Sequence, residues 1–179
     1  MRIIGGLYKG RKLKSPYTRN TRPTTGFVRE ALFNIIGPQI KQSSFLDIFA
    51  GTGAVGLEAL SRGAKYATFI ESDPKACSNI LSNIETLNLK DKTKVIRADA
   101  LSALKHMDKN GVSFDIIFID PPYYKDFINP LLTFIKDAKL LKQTLIVQYP
   151  KDESIEYQGF IQEKHKIYGK TALSFLIKE

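Results

Sequence analysis

Residues 44–56 read SFLDIFAGTGAVG, an apolar run that leads into a glycine-rich turn and then into a helical pattern. Gly51, Gly53 and Gly56 satisfy the G-x-G-x-x-G spacing between a predicted strand and a predicted helix, the context in which it indicates a ligand-binding turn. The same spacing describes nicotinamide dinucleotide sites, and it also occurs in turns that need only positive φ. The segment therefore predicts a strand–turn–helix unit with a ligand at the turn, and it leaves the ligand open.

Downstream of this unit, short apolar runs alternate with helical patterns, which predicts a parallel sheet with helices on both faces. Two final strands, separated by only Tyr168-Gly169-Lys170-Thr171, are expected to pair antiparallel. The predicted fold class is α/β: a Rossmann-like, seven-stranded, mostly parallel sheet that ends in an antiparallel hairpin, as in class I methyltransferases. The predicted strands are 44–49, 66–71, 94–97, 114–119, 144–148, 160–167 and 172–177, and the helices among the first five strands are 54–62, 74–87, 101–107 and 125–138.

The first 43 residues differ in character and are predicted to form a small extension ahead of a domain at 44–179. Residues 3–13 indicate a β-hairpin punctuated by glycines. A helix is expected after Arg22-Pro23-Thr24 and is stopped by Gly37-Pro38. The apolar face of this helix is expected to comprise Phe27, Ala31, Leu32, Ile35 and Ile36.

Basic charge is concentrated in this extension. Residues 1–45 carry nine basic side chains against a single acidic one, Glu30, while the whole chain has a net charge of +9. This asymmetry indicates a polyanionic partner, foremost nucleic acid, although a solvated basic surface fits equally well. We expect a cytoplasmic protein, because the sequence contains neither an apolar run of roughly 18–20 residues nor the apolar core of a signal peptide. The single cysteine, Cys77, agrees with a reducing compartment.

Three carboxylates narrow the choice of ligand, because each follows or ends a predicted strand. Asp47 precedes the turn, where its charge would attract the ammonium and sulfonium of S-adenosylmethionine and repel a pyrophosphate. Glu71, twenty residues after Gly51, has the position of a carboxylate that accepts both ribose hydroxyls. Asp99 is placed to bind an adenine amine, although a helix N-cap explains Asp99 by itself. The predicted S-adenosylmethionine site comprises Asp47, Phe49, Gly51, Gly53, Glu71, Asp99 and Ala100, the last through its backbone amide.

The chemistry is indicated by Asp120-Pro121-Pro122-Tyr123, which follows the fourth predicted strand. Ligands of open α/β sheets bind beyond the carboxyl ends of strands, so Asp120 and Tyr123 should lie beside the methyl group. An exocyclic base amine is a poor nucleophile, and Asp120 with the Pro121 carbonyl can orient it and accept its hydrogen bonds. Tyr123 can stack on the flipped base. We therefore predict Asp120, Pro121 and Tyr123 as catalytic residues, with Asp120 either a general base or only an orienting group.

Other chemistries fit the residues less well. C5-pyrimidine methylation needs a cysteine nucleophile near this loop, whereas Cys77 lies on the helix after the second strand. His106 and His165 lack partners at metal-ligand spacing, so we expect no metal. Three alternatives stay open: a DNA adenine-N6 or cytosine-N4 methyltransferase, for which 179 residues leave little room for a target-recognition domain; a non-catalytic RNA-binding assembly factor; and an NAD-dependent oxidoreductase, which gives no reason for Asp-Pro-Pro-Tyr.

The whole pattern resembles the bacterial small-subunit ribosomal RNA guanine-N2 methyltransferases of the RsmD type, over nearly the entire chain. The Arg-Pro-Thr segment together with Asp-Pro-Pro-Tyr is specific, whereas the first and last matching segments weigh least. One departure is Lys9, where the family pattern has arginine, and either residue would serve a phosphate contact. Besides Asp-Pro-Pro-Tyr, the matching segments are IIGGLYKGRKL at 3–13, RPTTGFVREALFN at 22–34, GLEALSRGA at 56–64 and YGKT at 168–171.

The resemblance implies a class I fold, S-adenosylmethionine as methyl donor and a guanine N2 in 16S ribosomal RNA as acceptor. It further implies that the substrate is the assembled or partly assembled small subunit, and we expect the enzyme to act as a monomer. The basic extension would then contact phosphates around the target, which must leave its stack. A helix-surface salt bridge explains Arg29 equally well. The predicted RNA contacts are Arg2, Lys9, Arg11, Lys12, Lys14, Arg22 and Arg29.

Overall fold

The computed structural model describes residues 1–15, 25–122 and 126–179, which form a seven-stranded sheet flanked by helices. Within these residues, no helix combines the length and the apolar character needed to cross a bilayer. The strands are β1 Ser44–Ile48, β2 Tyr66–Glu71, β3 Thr93–Arg97, β4 Phe114–Ile119, β5 Leu141–Pro150, β6 Phe160–Tyr168 and β7 Thr171–Lys178. The helices are α1 Gly26–Ile36, α2 Ala54–Ser61, α3 Pro74–Thr86, α4 Ala100–Lys109 and α5 Ile128–Asp137.

The strand order is β3-β2-β1-β4-β5-β7-β6, with β1 to β5 parallel and β7 antiparallel to both of its neighbours. This order confirms the predicted α/β class, including the antiparallel hairpin at the end. The hairpin turn is tighter than predicted, because the strands extend to Tyr168 and Thr171. The carboxyl ends of the five parallel strands meet at one edge of the sheet, and the order reverses between β1 and β4, where open sheets bind ligands.

The central strands are buried on both faces. Phe45, Ile116 and Phe118 belong to the core cluster covered by α1, α2 and α3. Leu46 and Ile117 belong to the second cluster, which is covered by α4 and α5. Successive strand residues point to opposite faces, so a strand covered on both sides must be apolar at nearly every position. This requirement explains why the central strands read as continuous apolar runs.

The predicted N-terminal hairpin is reduced to one antiparallel bridge, between Arg2 and Lys12. The Ile3 amide donates to the Arg11 carbonyl at 3.0 Å, and the Gly10 amide donates to the Ile3 carbonyl at 2.9 Å. Residues 1–15 form no regular strand, because Gly6 and Gly10 have φ of 74° and 84° and interrupt the extended conformation. The segment is therefore a closed loop.

Helix α1 buries part of the predicted face: Leu32 and Ile36 are buried, and Ala31 and Ile35 are half-buried. Phe27 is 68% exposed, and its ring contacts Tyr168 with 5.6 Å between centroids. The helix packs on the sheet through Phe33, whose ring lies 6.3 Å from that of Phe45. The prediction failed for Phe27 and did not include Arg29, which a buried ion pair, described below, turns inward. The buried residues are Val28, Arg29, Leu32, Phe33 and Ile36.

Candidate active site

The glycine-rich turn after β1 is held in left-handed backbone conformations. Gly51 and Gly53 have φ of 55° and 74°, and Phe49, which is not a glycine, has φ of 62°. A side chain in this region costs on the order of 1–3 kcal/mol and persists only where its surroundings enforce it. The Phe49 ring packs against Phe127 at 5.6 Å between centroids. The turn therefore starts from a strained residue at the carboxyl edge of the sheet.

The third glycine of the pattern serves close packing of α2 on the sheet. A Cβ added to Gly56 would lie 2.3 Å from Cε1 of Phe69, a fully buried residue of β2. Only a residue without a side chain lets α2 approach β2 this closely. The start of α2, and with it the turn, is thereby placed against the end of β2.

Asp47 lies beneath the turn, 2% exposed, and its Oδ2 accepts a hydrogen bond from the Gly56 amide at 2.9 Å. Burial raises the pKa of this carboxyl from 3.8 to about 8; the Gly56 amide opposes the rise, and the nearby charges of Asp120 and Glu71 add to it. The predicted site residue thus also anchors the first turn of α2. Glu71, at the end of β2, and Asp120, just after β4, therefore both lie within electrostatic range of Asp47.

Glu71, at the end of β2, joins the turn to the following loop. Its Oε2 accepts from the Gly51 amide at 2.8 Å, and its Oε1 accepts from the Asp73 amide at 2.9 Å. The structure brings Glu71, Gly51 and Asp47 together, as the sequence predicted for residues at the ends of adjacent parallel strands. Each carboxylate oxygen has more than one lone pair, so these backbone bonds leave Glu71 able to accept a hydroxyl.

Asp99 is the N-cap of α4, and its Oδ1 accepts from the Ser102 amide at 3.0 Å. The capping explanation, left open from the sequence, therefore holds in this structure. Asp99 is exposed, and Ala100 is the first residue of the helix. The first amides of a helix have no intrahelical acceptor, so the Ala100 amide can donate a hydrogen bond to an anion or to a ring nitrogen.

Asp120 follows β4, and its amide approaches the Ile48 carbonyl at 3.4 Å, which places it beside the start of the glycine-rich turn. Pro121 is buried. Sequence reasoning missed Gln148, a buried residue of β5 whose Nε2 donates to Oδ2 of Asp120 at 2.8 Å. A polar residue at the end of the apolar run LIVQ was the available signal. Tyr123 lies outside the described residues.

The basic loop of residues 1–15 exposes five of the predicted RNA contacts, and one prediction is corrected. Arg29 is only 2% exposed. Its Nη2 donates to the Arg2 carbonyl at 2.6 Å, and its Nε lies 3.4 Å from Oε2 of Glu58. Arg29 is thus an internal counter-ion and is not available to RNA. Arg22 lies outside the described residues, and the exposed cations are Arg2, Lys9, Arg11, Lys12 and Lys14.

The side chain of Glu58 connects the basic loop to α2, the helix that begins at the glycine-rich turn. This fully buried carboxylate accepts from the amides of Ile4 at 2.8 Å and Gly5 at 2.7 Å, and from Nε of Arg62 at 2.8 Å. Asn83 of α3 makes a second connection, since its Oδ1 accepts from the Lys14 amide of the basic loop at 2.7 Å and its Nδ2 donates to the Thr52 carbonyl of the turn at 3.3 Å. The basic loop and the turn therefore share one rigid support.

Known proteins share sequence with this chain over most of its length. A family model described as "Conserved hypothetical protein 95" matches residues 1–177. YlbH of Bacillus subtilis, a candidate rRNA methyltransferase, is 37% identical over 99% of this chain and 99% of its own. Ribosomal RNA small subunit methyltransferase D of Escherichia coli K12 is 41% identical over 82% of this chain and 72% of its own.

A solved structure shares the fold of this chain. That of yhhF from Escherichia coli, a candidate methyltransferase, has a TM-score of 0.87 and 34% identity, and the match covers 100% of this chain and 98% of the other. The sequence match to methyltransferase D and the family model both extend over most of the molecule. The chain therefore belongs to the conserved hypothetical protein 95 family, that of the ribosomal RNA small subunit methyltransferases D.

Proposed function

We propose that this protein transfers a methyl group from S-adenosylmethionine to the N2 amine of a guanine in small-subunit ribosomal RNA. The observation that carries the proposal is the position of Asp120. It is the first residue after β4, and its amide lies 3.4 Å from the carbonyl of Ile48, at the edge where the glycine-rich turn after β1 begins. A carboxylate directly beside a nucleoside-binding turn is the arrangement needed to present an amine to a methyl donor.

The residues at this edge suit S-adenosylmethionine. When bound, that cofactor supplies an electrophilic methyl group on a sulfonium centre. Gly51 and Gly53 expose the backbone of the turn, and Glu71 offers a carboxylate to a ribose. Burial raises the pKa of Asp47 to about 8, so its carboxyl group is mostly protonated at neutral pH. A cationic ligand beside it favours the ionised form. Asp99, Ala100 and Phe49 complete the cofactor residues that we propose.

Asp120 and the Pro121 carbonyl accept hydrogen bonds from the two N–H groups of the target amine. These bonds orient the nitrogen lone pair toward the methyl group and stabilise the nitrogen as it becomes pyramidal. The proton that the amine loses on methylation leaves from the side on which Asp120 lies. We propose Tyr123 as the stacking partner of the flipped base, a contact worth roughly 1–3 kcal/mol.

On the substrate side, we propose residues 1–43 as an RNA-binding extension and 44–179 as the methyltransferase domain. The exposed cations of the basic loop support this assignment, because each can neutralise a phosphate. We further propose that the substrate is an assembled or partly assembled small subunit, and that the enzyme acts on it in the cytoplasm as a monomer. Arg22 remains among the proposed RNA contacts.

The test is methyl transfer from labelled S-adenosylmethionine to small subunits lacking their modifications, to deproteinised ribosomal RNA and to duplex DNA. Product nucleosides are identified by mass spectrometry, and we expect N2-methylguanosine from subunits. A methylated adenine or cytosine in DNA would overturn the substrate, and transfer to none of the three would favour a binding protein.

Asp120→Ala should lower the transfer rate by about 10²- to 10⁴-fold with cofactor affinity nearly intact. Asp152→Asn, a change at an exposed carboxylate, is the matched control and should retain the native rate. Undiminished turnover in Asp120→Ala would remove the proposed site.

A further inference from the structure

The side chain of Gln148 reaches the proposed catalytic carboxylate from the neighbouring strand. In the β4–β5 register, Phe118 pairs with Ile146 and Ile119 with Val147. Continuing the register by one residue sets Asp120 opposite Gln148. The side chains of Phe118 and Ile146 lie in the same core cluster. Since side chains alternate along a strand, Asp120 and Gln148 project to that same face.

In the contact between Gln148 and Asp120, the amide donates the hydrogen bond and the carboxylate accepts it. Nε2 of Gln148 lies 2.8 Å from Oδ2 of Asp120. An ionised carboxylate only accepts hydrogen bonds, so the amide must present its N–H group. Gln148 is 3% exposed, and water competes little for this bond. A hydrogen bond to a charged acceptor in such surroundings is among the stronger ones in proteins.

Gln148 itself is held firmly. It lies on β5, between the parallel partner β4 and the antiparallel partner β7, where it is paired with Leu173. A side chain on a central strand has little freedom to move, and groups carried on such elements hold functional residues more accurately than loops do. Asp120, by contrast, is the first residue beyond its strand.

We propose that Gln148 is a positioning residue for methyl transfer. It holds Oδ2 of Asp120, and thereby fixes the plane of the carboxyl group and directs Oδ1 toward the target amine. This inference rests on the proposed role of Asp120. Gln148 does not touch the substrate, so its contribution is to the rate of transfer and not to the binding of cofactor or RNA.

The first experiment replaces Gln148 by leucine, which has a similar volume and no donor. With modification-free small subunits as substrate, Gln148→Leu should lower kcat about 10- to 100-fold, while KM and the dissociation constant for S-adenosylmethionine stay within about 3-fold of native values. Gln143→Leu is the matched control. Gln143 lies at the opposite end of β5 and donates to a different aspartate, Asp115, at 3.4 Å, so its loss should leave kcat unchanged.

The second variant, Gln148→Glu, gives a signature that a purely structural role would not produce. The introduced carboxyl group and that of Asp120 would lie within hydrogen-bond distance and share one proton. With that proton, the introduced group again donates a hydrogen bond to Asp120. The ratio of variant to native kcat should therefore be highest near pH 6 and fall toward pH 9, as the shared proton is lost. Thermal unfolding measured in parallel separates this effect from misfolding, and the glutamate variant serves if the leucine variant does not fold.

Native kcat in Gln148→Leu, or a flat ratio across pH in Gln148→Glu, would overturn the inference. The proposed function fails separately, by retained turnover in Asp120→Ala. If Asp120→Ala is inactive and Gln148→Leu has the native rate, the proposed function stands and only the role of Gln148 is lost.

Discussion

Replacing Gly56 by alanine should destabilise the protein, because the added methyl group has no room. The ideal Cβ would lie 2.3 Å from Cε1 and 2.8 Å from Cζ of Phe69, whose ring is fully buried. Overpacking of this kind costs typically 1–3 kcal/mol, and the higher helix propensity of alanine offsets up to about 1 kcal/mol of it. For a chain of this length, a net loss of about 1–2 kcal/mol corresponds to a fall in Tm of roughly 2–8 °C.

The assay is calorimetric or spectroscopic unfolding, with Gly26→Ala as the matched control. Gly26 also lies in the first turn of a helix, and among the described residues its Cβ would meet only Cδ1 of Ile4, at 3.6 Å. Gly26→Ala should therefore be neutral or stabilising. Phe69→Leu should relieve the crowding, so the double variant with Gly56→Ala should lose less than the sum of the two single losses. Equal Tm values for Gly56→Ala and Gly26→Ala would refute the packing argument.

Two further predictions concern buried carboxylates. The folded-state pKa of Asp47, about 8, exceeds its ordinary 3.8, so the native state binds this proton more tightly than the unfolded state does. The stability that results is complete below about pH 4 and is lost as the pH rises toward 8. Urea unfolding at several pH values should show that the free energy of unfolding declines less steeply with pH in Asp47→Asn than in the native protein. An unchanged slope would contradict the raised pKa of Asp47. Glu58→Ala leaves Arg29 buried without its counter-ion and frees the amides of Ile4 and Gly5. We expect the free energy of unfolding, measured with urea, to fall by about 3–5 kcal/mol, and tryptic cleavage within residues 9–14 to become faster. Native resistance to trypsin there would argue against the role of Glu58 in holding the basic loop on α2.

The carboxylates at the sheet edge have structural bonds as well as proposed ligands. Asp47 and Glu71 each accept a backbone amide of the turn region, and Asp99 caps α4. Substitution of any of them would change the shape of the site together with its charge. A loss of cofactor affinity in such variants therefore reports both effects, which is why the Asp120 and Gln148 variants are the cleaner tests of chemistry.

Local sequence patterns predicted the structure correctly where the residues of a single segment determine it. The glycine spacing at 51–56, the apolar runs of the central strands and the short link before residue 171 predicted the elements and the antiparallel ending of the sheet. The strand-end positions of Asp47 and Glu71 also predicted that they would meet, because parallel strands bring their carboxyl ends to one edge. These features depend on backbone geometry and hydrophobic periodicity, and both are readable within a few residues.

Contacts between distant segments could not be predicted in this way. Arg29 looked like a surface cation, yet Glu58, remote in sequence, is its buried counter-ion, so the buried face of α1 includes Arg29 while Phe27 is exposed. Gln148 looked like an ordinary strand end until the β4–β5 register set it against Asp120. The residue order of this chain determines its helices and strands and their order along the chain, since those follow from local periodicity. Which charges are buried and which side chain holds the proposed catalytic carboxylate depend on packing between strands and helices, and only the folded structure decides them.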